Sequence, residues 1–209
     1  MKPMQTKRPE ELIRVPSEYW DALKNRRIDD LCKHALAKVH LTGGVQISFL
    51  HKQLLVDLED ECLRELFQDS WKKIGYPLLE LLVLVYLLNV TPDYPVHEMI
   101  SVRDLKDAHF FQGPHELKTR PILEMYGNNI RGFQRAAESL GGKALEMADA
   151  AYELFPFPKI PLYYLLWLGD EQFEANLSIL FDRSIERHLS ADAIWGIVKL
   201  VSDFLAKGE

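Results

Sequence analysis

The sequence predicts an α+β protein in which helices pack on a mostly antiparallel sheet built from hairpins. The apolar runs Ile160–Leu168 and Leu177–Phe181 flank a short acidic turn, a pattern typical of two buried strands joined as a hairpin. The predicted elements also lack the regular strand–helix alternation of a doubly wound parallel sheet. A chain of 209 residues fits one domain, predicted over residues 16–209 after a mobile extension over residues 1–15.

The bulk composition excludes several classes of protein. The net charge, 25 − 31 = −6, argues against a nucleic-acid partner, because nucleic-acid binders usually carry a basic face. Cys32 and Cys62 are too few for a disulfide framework, which favours a reducing compartment. The polar first residues lack a signal peptide, and the apolar run Leu78–Val90 contains Glu80 and is too short to span a bilayer. We therefore expect a cytoplasmic protein without a membrane partner.

Two helices and a hairpin are predicted in the first third of the chain. Apolar spacing predicts helices over Ser17–Arg26 and Ile28–Val39. Alternation of apolar and polar residues predicts strands over Val45–Leu50 and Leu54–Leu58. The segment Glu59–Lys73 is ambiguous between a helix and an irregular segment.

A central helix and a central strand are predicted in the rest of the chain. The helix Leu78–Asn89 is apolar nearly all round, which is typical of a helix buried in the core. The strand Pro161–Leu168 is apolar on both faces and should therefore be covered on both sides. The further predicted elements are helices over 115–126, 128–140 and 191–206 and strands over 98–102 and 150–155.

Motifs for common chemistries are missing from the sequence. There is no glycine-rich phosphate loop, no GxSxG elbow and no HExxH metal motif. Cys32 falls on an apolar helical face, and acidic neighbours should raise the pKa of the Cys62 thiol. The sequence thus identifies no metal site, no cofactor and no catalytic nucleophile.

An aromatic loop, AHFFQGP, offers the best candidates for direct ligand contacts. His109 is its second residue, His115 follows it directly, and Phe111 lies between the two histidines. Loops hold functional side chains out to solvent, so these residues are candidates for a ligand site. The alternative is two histidines that are solvated or bonded to backbone.

The carboxylates at the hairpin are the remaining candidates for a catalytic or binding role. Asp170 and Glu171 follow Trp167, and Asp182 closes the next strand. A carboxylate beside an aromatic wall can have a raised pKa and act as a general acid or base. The alternative is that these carboxylates cap a tight turn and bind backbone groups. The candidate ligand-binding residues are His109, Phe111, His115, Trp167, Asp170, Glu171 and Asp182.

The hairpin phrase FPFPKIPLYYLLWLGDEQFEANLSILFDRS resembles a family of bacterial and archaeal proteins, the domain of unknown function DUF3786. The segments LLVLVYLLN and MISVRDLKDAHFFQGPHELKTRPIL also match, and the resemblance covers roughly residues 28–206. The resemblance implies an anaerobic setting, because members of that family occur in anaerobes, and some of them carry an N-terminal iron–sulfur domain like that of corrinoid methyl-transfer proteins. This chain lacks the cysteine cluster of that iron–sulfur domain, so the resemblance implies no iron–sulfur site in it. It implies instead a corrinoid or iron–sulfur protein as a partner, and it identifies no catalytic residue.

Three functions are compatible with these observations. The favoured hypothesis is an accessory or binding protein for a cofactor or partner protein of anaerobic corrinoid or one-carbon metabolism. The second is a small enzyme that uses Asp170, Glu171 or Asp182 for acid–base chemistry, assisted by His109 or His115. The third is a structural or interaction module, in which case a homo-oligomer is expected.

Overall fold

Every strand pairing in residues 15–207, the part of the chain that the computed structural model describes, is antiparallel. The predicted extension over residues 1–15 lies almost wholly outside this part. Two five-stranded sheets form, with six helices beside them. The strands are β1 (Lys38–Val39), β2 (Val45–Phe49), β3 (Lys52–Asp57), β4 (Cys62–Phe67), β5 (Ser70–Lys73), β6 (Met99–Ile100), β7 (Lys143–Leu145), β8 (Ala150–Phe157), β9 (Ile160–Trp167) and β10 (Asn176–Asp182). The predicted α+β class is confirmed.

The first sheet is a meander in the order β1-β2-β3-β4-β5. Four strand spacings in a flat sheet would separate its edges by about 19 Å. The rings of His40, after β1, and Trp71, in β5, nevertheless meet edge to face with centroids 5.6 Å apart. The sheet is therefore strongly curled.

The second sheet has the order β6-β10-β9-β8-β7 and places β9 at its centre. Tyr164 and Leu166 of β9 enter the main core, whereas Tyr163 and Leu165 form a smaller buried cluster on the other face with Ala151. The prediction of a central strand buried on both faces is confirmed.

The helices are α1 (Ser17–Lys24), α2 (Ile28–Ala35), α3 (Pro77–Asn89), α4 (Arg120–Tyr126), α5 (Ile130–Ser139) and α6 (Ala191–Lys207). The apolar helix α3 packs against α6, where a Cβ on Gly196 would lie 3.2 Å from Cδ2 of Leu82. Pro77 opens α3 at a position whose backbone N–H has no helical partner. No helix within residues 15–207 combines the length and the apolar composition needed to cross a bilayer.

Three segments differ from their sequence-based predictions. Helix α2 ends at Ala35, four residues early, because Leu36 adopts a left-handed conformation with φ of 53° and the chain then enters β1. The ambiguous segment Glu59–Lys73 forms the hairpin of β4 and β5. Helix α4 begins only at Arg120, and two short 3₁₀ turns, Ala108–Phe111 and Gly113–His115, precede it.

Candidate functional site

The structure places the candidate residues in three separate regions. One is the turn between β9 and β10, the second is a groove formed by residues 102–121, and the third is a buried polar cluster beneath the loop after α3. The turn holds Asp170 and Glu171 with Trp167 beside it; the groove segment holds His109, Phe111 and His115; the buried cluster holds Asp182.

The turn between β9 and β10 is organised by Asp170. Its Oδ1 accepts hydrogen bonds from the backbone N–H groups of Gln172 at 2.7 Å and Phe173 at 2.8 Å. These bonds hold the pKa of the Asp170 carboxyl below its ordinary value. Glu171 is exposed on the same turn, and the turn and the end of α4 together line an open concavity of about 420 Å³. An exposed, ionised carboxylate in a turn suits backbone capping better than general acid catalysis.

Asp182 lies at the opposite end of the hairpin from that turn. Asn176, the first residue of β10, pairs with Trp167, and Asp182 ends the strand six residues later. At roughly 3.3 Å per residue, about 20 Å separates Asp182 from the turn that carries Asp170. The two carboxylates therefore cannot act together on one substrate bond.

The Asp182 carboxylate is buried, with 0% of the residue exposed, and it binds four hydrogen-bond donors. Oδ1 accepts from the N–H of Val96 at 3.0 Å and from the N–H and Oγ–H of Ser184 at 2.9 and 2.6 Å. Oδ2 accepts from the N–H of His97 at 2.6 Å. Burial opposes the ionised form, but these donors outweigh it and hold the pKa of the Asp182 carboxyl below its ordinary value.

Two further buried ionisable residues bind the same loop. Lys159, in the turn between β8 and β9, is 1% exposed, and its Nζ donates to the carbonyl oxygens of Thr91 at 2.9 Å and Pro92 at 3.1 Å. His188 is also 1% exposed, and its Nδ1 accepts from the N–H of Thr91 at 3.2 Å. Burial, reinforced by the nearby Lys159 ammonium, lowers the pKa of His188 to about 4. Burial likewise lowers the pKa of Lys159.

These residues hold the loop Thr91–His97, which we call the strap. The buried polar or charged residues of the described chain are Lys159, Asp182, Ser184, His188 and Ser202. Three of them bind the strap directly, and Ser184 shares the carboxylate of Asp182. Burying a charge costs free energy unless the charge is paired and hydrogen-bonded. The concentration of buried polar and charged groups at one loop therefore indicates that the fold holds this loop in a defined position.

The groove is built by the two 3₁₀ turns and the start of α4. Two neighbouring concavities, of about 410 and 530 Å³, share Glu116, Leu117 and Thr119 in their walls. Phe111 is buried and lines the first of them. Arg103, Lys118 and Arg120 also line the groove, against one carboxylate, Glu116, so its walls combine apolar surface with an excess of positive charge.

Aromatic packing fixes the segment that carries the groove. The ring of His115 stacks on Phe110 with centroids 4.4 Å apart and meets Trp195 of α6 edge to face at 5.8 Å. Both His109 and His115 are exposed. The Trp195 Nε1–H is buried without a hydrogen-bond partner in the described part of the chain. The aromatic loop is therefore a fixed surface on α6 and not a separate flap.

Asp57, Asp60 and Cys62 bring possible metal-ligand atoms within 4.8 Å of one another. Arg64 already supplies positive charge there, since its Nε donates to Asp57 at 2.8 Å and its Nη2 donates to Asp60. Burial is the main cause that raises the pKa of the Cys62 thiol, as it is for Cys32. This group is thus an arginine–carboxylate network beside a protonated thiol.

Sequence reasoning missed Lys159, His188 and the strap. A signal for Lys159 existed, because it is the one charged residue between the apolar segments FPFP and IPLYYLLWL. His188 carried no such signal, because it follows a polar, charged segment and is buried only by tertiary packing.

These features define an α+β protein with a curled first sheet, a buried polar cluster and an open, positively lined groove. Comparison with known protein families matches residues 28–203 to the family described as Domain of unknown function (DUF3786), and the chain belongs to that family. Neither the curated proteins nor the solved structures contain a match to this chain.

Proposed function

We propose that the protein is an accessory protein that binds a cofactor or a partner protein in the groove formed by residues 102–121. One observation carries the proposal: the hairpin carboxylates bind backbone donors, whereas two basic residues of the groove, Arg103 and Lys118, form no ion pair in the described part of the chain; a third, Arg120, is paired with Glu124. Asp170 and Asp182 accept hydrogen bonds from backbone N–H groups at both ends of the hairpin. No ion pair engages Arg103 or Lys118 within residues 15–207.

The shape and charge of the groove suit an extended or flat anionic ligand. Phe111 and Leu117 offer apolar surface, and Arg103 and Lys118 offer cationic groups that can pair with phosphate or carboxylate. A corrinoid combines a flat macrocycle with a phosphate-bearing tail, and a protein partner combines apolar and acidic side chains. Both occupants fit this combination.

The family resemblance supports a metabolic setting for this proposal. We place the protein in the cytoplasm of an anaerobe, in corrinoid or one-carbon metabolism, with a corrinoid or iron–sulfur protein as its partner. Because this chain has only two cysteines, an iron–sulfur cluster would be held by the partner.

A binding titration tests the proposal. Purified protein is titrated with hydroxocobalamin, haem and flavin mononucleotide while absorbance and melting temperature are recorded, and a purified corrinoid protein is tried by pull-down. We expect one of these ligands to bind, with a spectral or thermal shift for a cofactor.

Charge-reversal variants assign that binding to the groove. Arg103→Glu and Lys118→Glu should weaken binding at least tenfold, since each removes an anion contact and adds repulsion. Lys33→Glu, an exposed lysine of α2, makes the same change in charge outside the groove and should bind as the unaltered protein does. Failure of all four ligands to bind, or equal weakening by Lys33→Glu, would overturn the proposal.

A further inference from the structure

Buried polar groups supply the hydrogen bonds that attach the strap to the body of the protein. An exposed ion pair of Asp93 with Arg187 and the contact of the Lys159 ammonium with the Tyr94 ring, 4.7 Å from its centroid, add to them. Lys159 holds the first two carbonyl oxygens of the strap, His188 holds the N–H of Thr91, and Asp182 holds the N–H groups at its other end. Its outward side chains contribute little packing, because Tyr94 is 63% and Val96 45% exposed. The position of the strap therefore depends on the protonation states of the groups beneath it.

The His188 ring holds the strap only in its neutral form. Nδ1 accepts the Thr91 N–H and lies 3.3 Å from Thr91 Oγ1, so the proton of the neutral ring is assigned to Nε2. Nε2 is buried without a hydrogen-bond partner in residues 15–207. A protonated ring carries hydrogens on both nitrogens, so Nδ1 can no longer accept from Thr91.

The surroundings of His188 do not accommodate a second positive charge. The charged groups that face it are Lys159 from the turn between β8 and β9, Arg187 from its own segment, Asp93 from the strap and Asp182 from the end of β10. Asp182 is saturated by its four donors, and Asp93 lies 3.7 Å from Arg187 and accepts from Thr91 Oγ1. Neither carboxylate is therefore free to pair with an imidazolium.

Backbone strain adds a tendency to open. His97, where Asp182 holds the end of the strap, has a φ of 58°, in the left-handed region that side chains other than glycine seldom adopt. The strain is maintained only while the hydrogen bonds to Asp182 and the rest of the cluster keep the strap in place.

We propose that the strap is an acid-released latch: protonation of the His188 ring breaks its bond to Thr91, and the first half of the strap, residues 91–94, then leaves the hairpin beneath it and uncovers Lys159. This inference is independent of the groove and of its occupant. Between pH 7 and 6.5 the strap stays closed. Below pH 6.5 the open fraction rises, by up to about tenfold per pH unit, because the open state binds one proton more than the closed state. Asp182 keeps its hydrogen bonds to the other end of the strap until its own carboxyl becomes protonated at lower pH.

Hydrogen exchange on the full chain tests the latch. Exchange of residues 91–97 is followed by mass spectrometry at pH 7.0, 6.0 and 5.0, after correction for the intrinsic pH dependence of exchange. We expect protection at residues 91–94 of the strap to fall at least tenfold between pH 7.0 and 5.0, while α3 and β9 keep theirs. Constant protection of the strap over this range would overturn the proposal.

Two variants assign the effect to His188. His188→Gln keeps an acceptor and does not titrate, so protection of the strap should no longer depend on pH between 6.5 and 5.0. His109→Gln, at an exposed histidine of the groove segment, should retain the pH dependence of the unaltered protein. Should His188→Gln fail to fold, the ring ¹⁵N shifts of His188 in the unaltered protein decide: a proton on Nδ1 at pH 7 would contradict the latch.

Discussion

Asp170 and Asp182 close the two ends of one hairpin, and both accept backbone N–H groups, yet their roles in the fold differ. Asp170 is exposed and binds residues two and three positions further along the chain. Asp182 is buried and binds residues 86 and 85 positions away. The first carboxylate shapes a local turn, whereas the second connects the second sheet to the loop after α3. Similar chemistry in the sequence therefore gives a local effect at one end and a long-range tie at the other.

Removal of the buried carboxylate should have the largest effect. Asp182→Ala leaves the N–H groups of Val96 and His97 buried without an acceptor and removes the partner of Ser184. We expect the free energy of unfolding to fall by about 3–4 kcal/mol, measured by urea denaturation. A loss below about 1 kcal/mol would mean that water accepts hydrogen bonds from these donors and that Asp182 does not hold the strap to the second sheet.

Lys159 provides the next largest effect. Lys159→Met preserves most of the apolar stem but leaves the carbonyl oxygens of Thr91 and Pro92 without their donor. We expect a loss of about 2 kcal/mol in the free energy of unfolding. Lys38→Met is the matched control, because Lys38 is exposed at the edge of the first sheet and should change stability by less than about 0.5 kcal/mol. Equal losses in the two variants would contradict the role of Lys159.

Asp182 and His188 should lose their contributions to stability at different pH values as the solution is acidified. The pKa of Asp182 is lower in the folded protein than its ordinary value of 3.8, so its contribution is present above that value and is lost as pH falls through the folded pKa. The pKa of His188 is lowered from 6.5 to about 4, so stability should already decline as pH falls between these two values. We expect urea midpoints of His188→Gln to be flat between pH 6.5 and 4.5, whereas those of the unaltered protein decrease. Parallel decreases of the urea midpoint in both proteins would mean that a group other than His188 titrates in this pH range.

Asp170 should show the smallest effect on stability. Asp170→Ala removes two local hydrogen bonds in an exposed turn, so only a small decrease in melting temperature is expected. Ligand binding in the groove should be unchanged, because the turn and the groove lie at opposite ends of α4. Loss of binding in Asp170→Ala at an unchanged melting temperature would instead place the ligand at the turn.

Much of the fold was predictable because its signals are local. The alternation in VQISFL, the apolar helix after Pro77 and the double-sided apolar strand β9 each determine their own element. The hairpin of β4 and β5 was not predictable in this way, because CLRELF and SWKK mix charged and apolar residues without a clear period. Pairing of β4 with β3, and of β5 with β4, stabilises those strands, and the sequence of one strand does not identify the strand beside it.

The candidate site was predictable only in part. The loop with His109, Phe111 and His115 was predicted as a candidate binding surface from its aromatic composition. Phe111 lines a groove, whereas His109 and His115 line neither of its two concavities, and ligand binding there stays a prediction. The cluster of Lys159, Asp182 and His188 was not, since its members come from three separate segments that only the tertiary fold brings to the strap. Burial of a lysine and a histidine depends on long-range packing, which the sequence pattern around each residue does not contain.

Hydrogen exchange of the two hairpin ends tests the central claim most directly, namely that Asp182 is a long-range tie and Asp170 a local cap. Residues 91–97 and 169–175 are followed at pH 7 in Asp182→Asn and Asp170→Asn. In Asp182→Asn, the amides of Val96 and His97 should lose protection while the turn at 169–175 keeps its own. In Asp170→Asn, only the turn should exchange faster. Unchanged protection of Val96 and His97 in Asp182→Asn, or loss of strap protection in Asp170→Asn, would contradict the account.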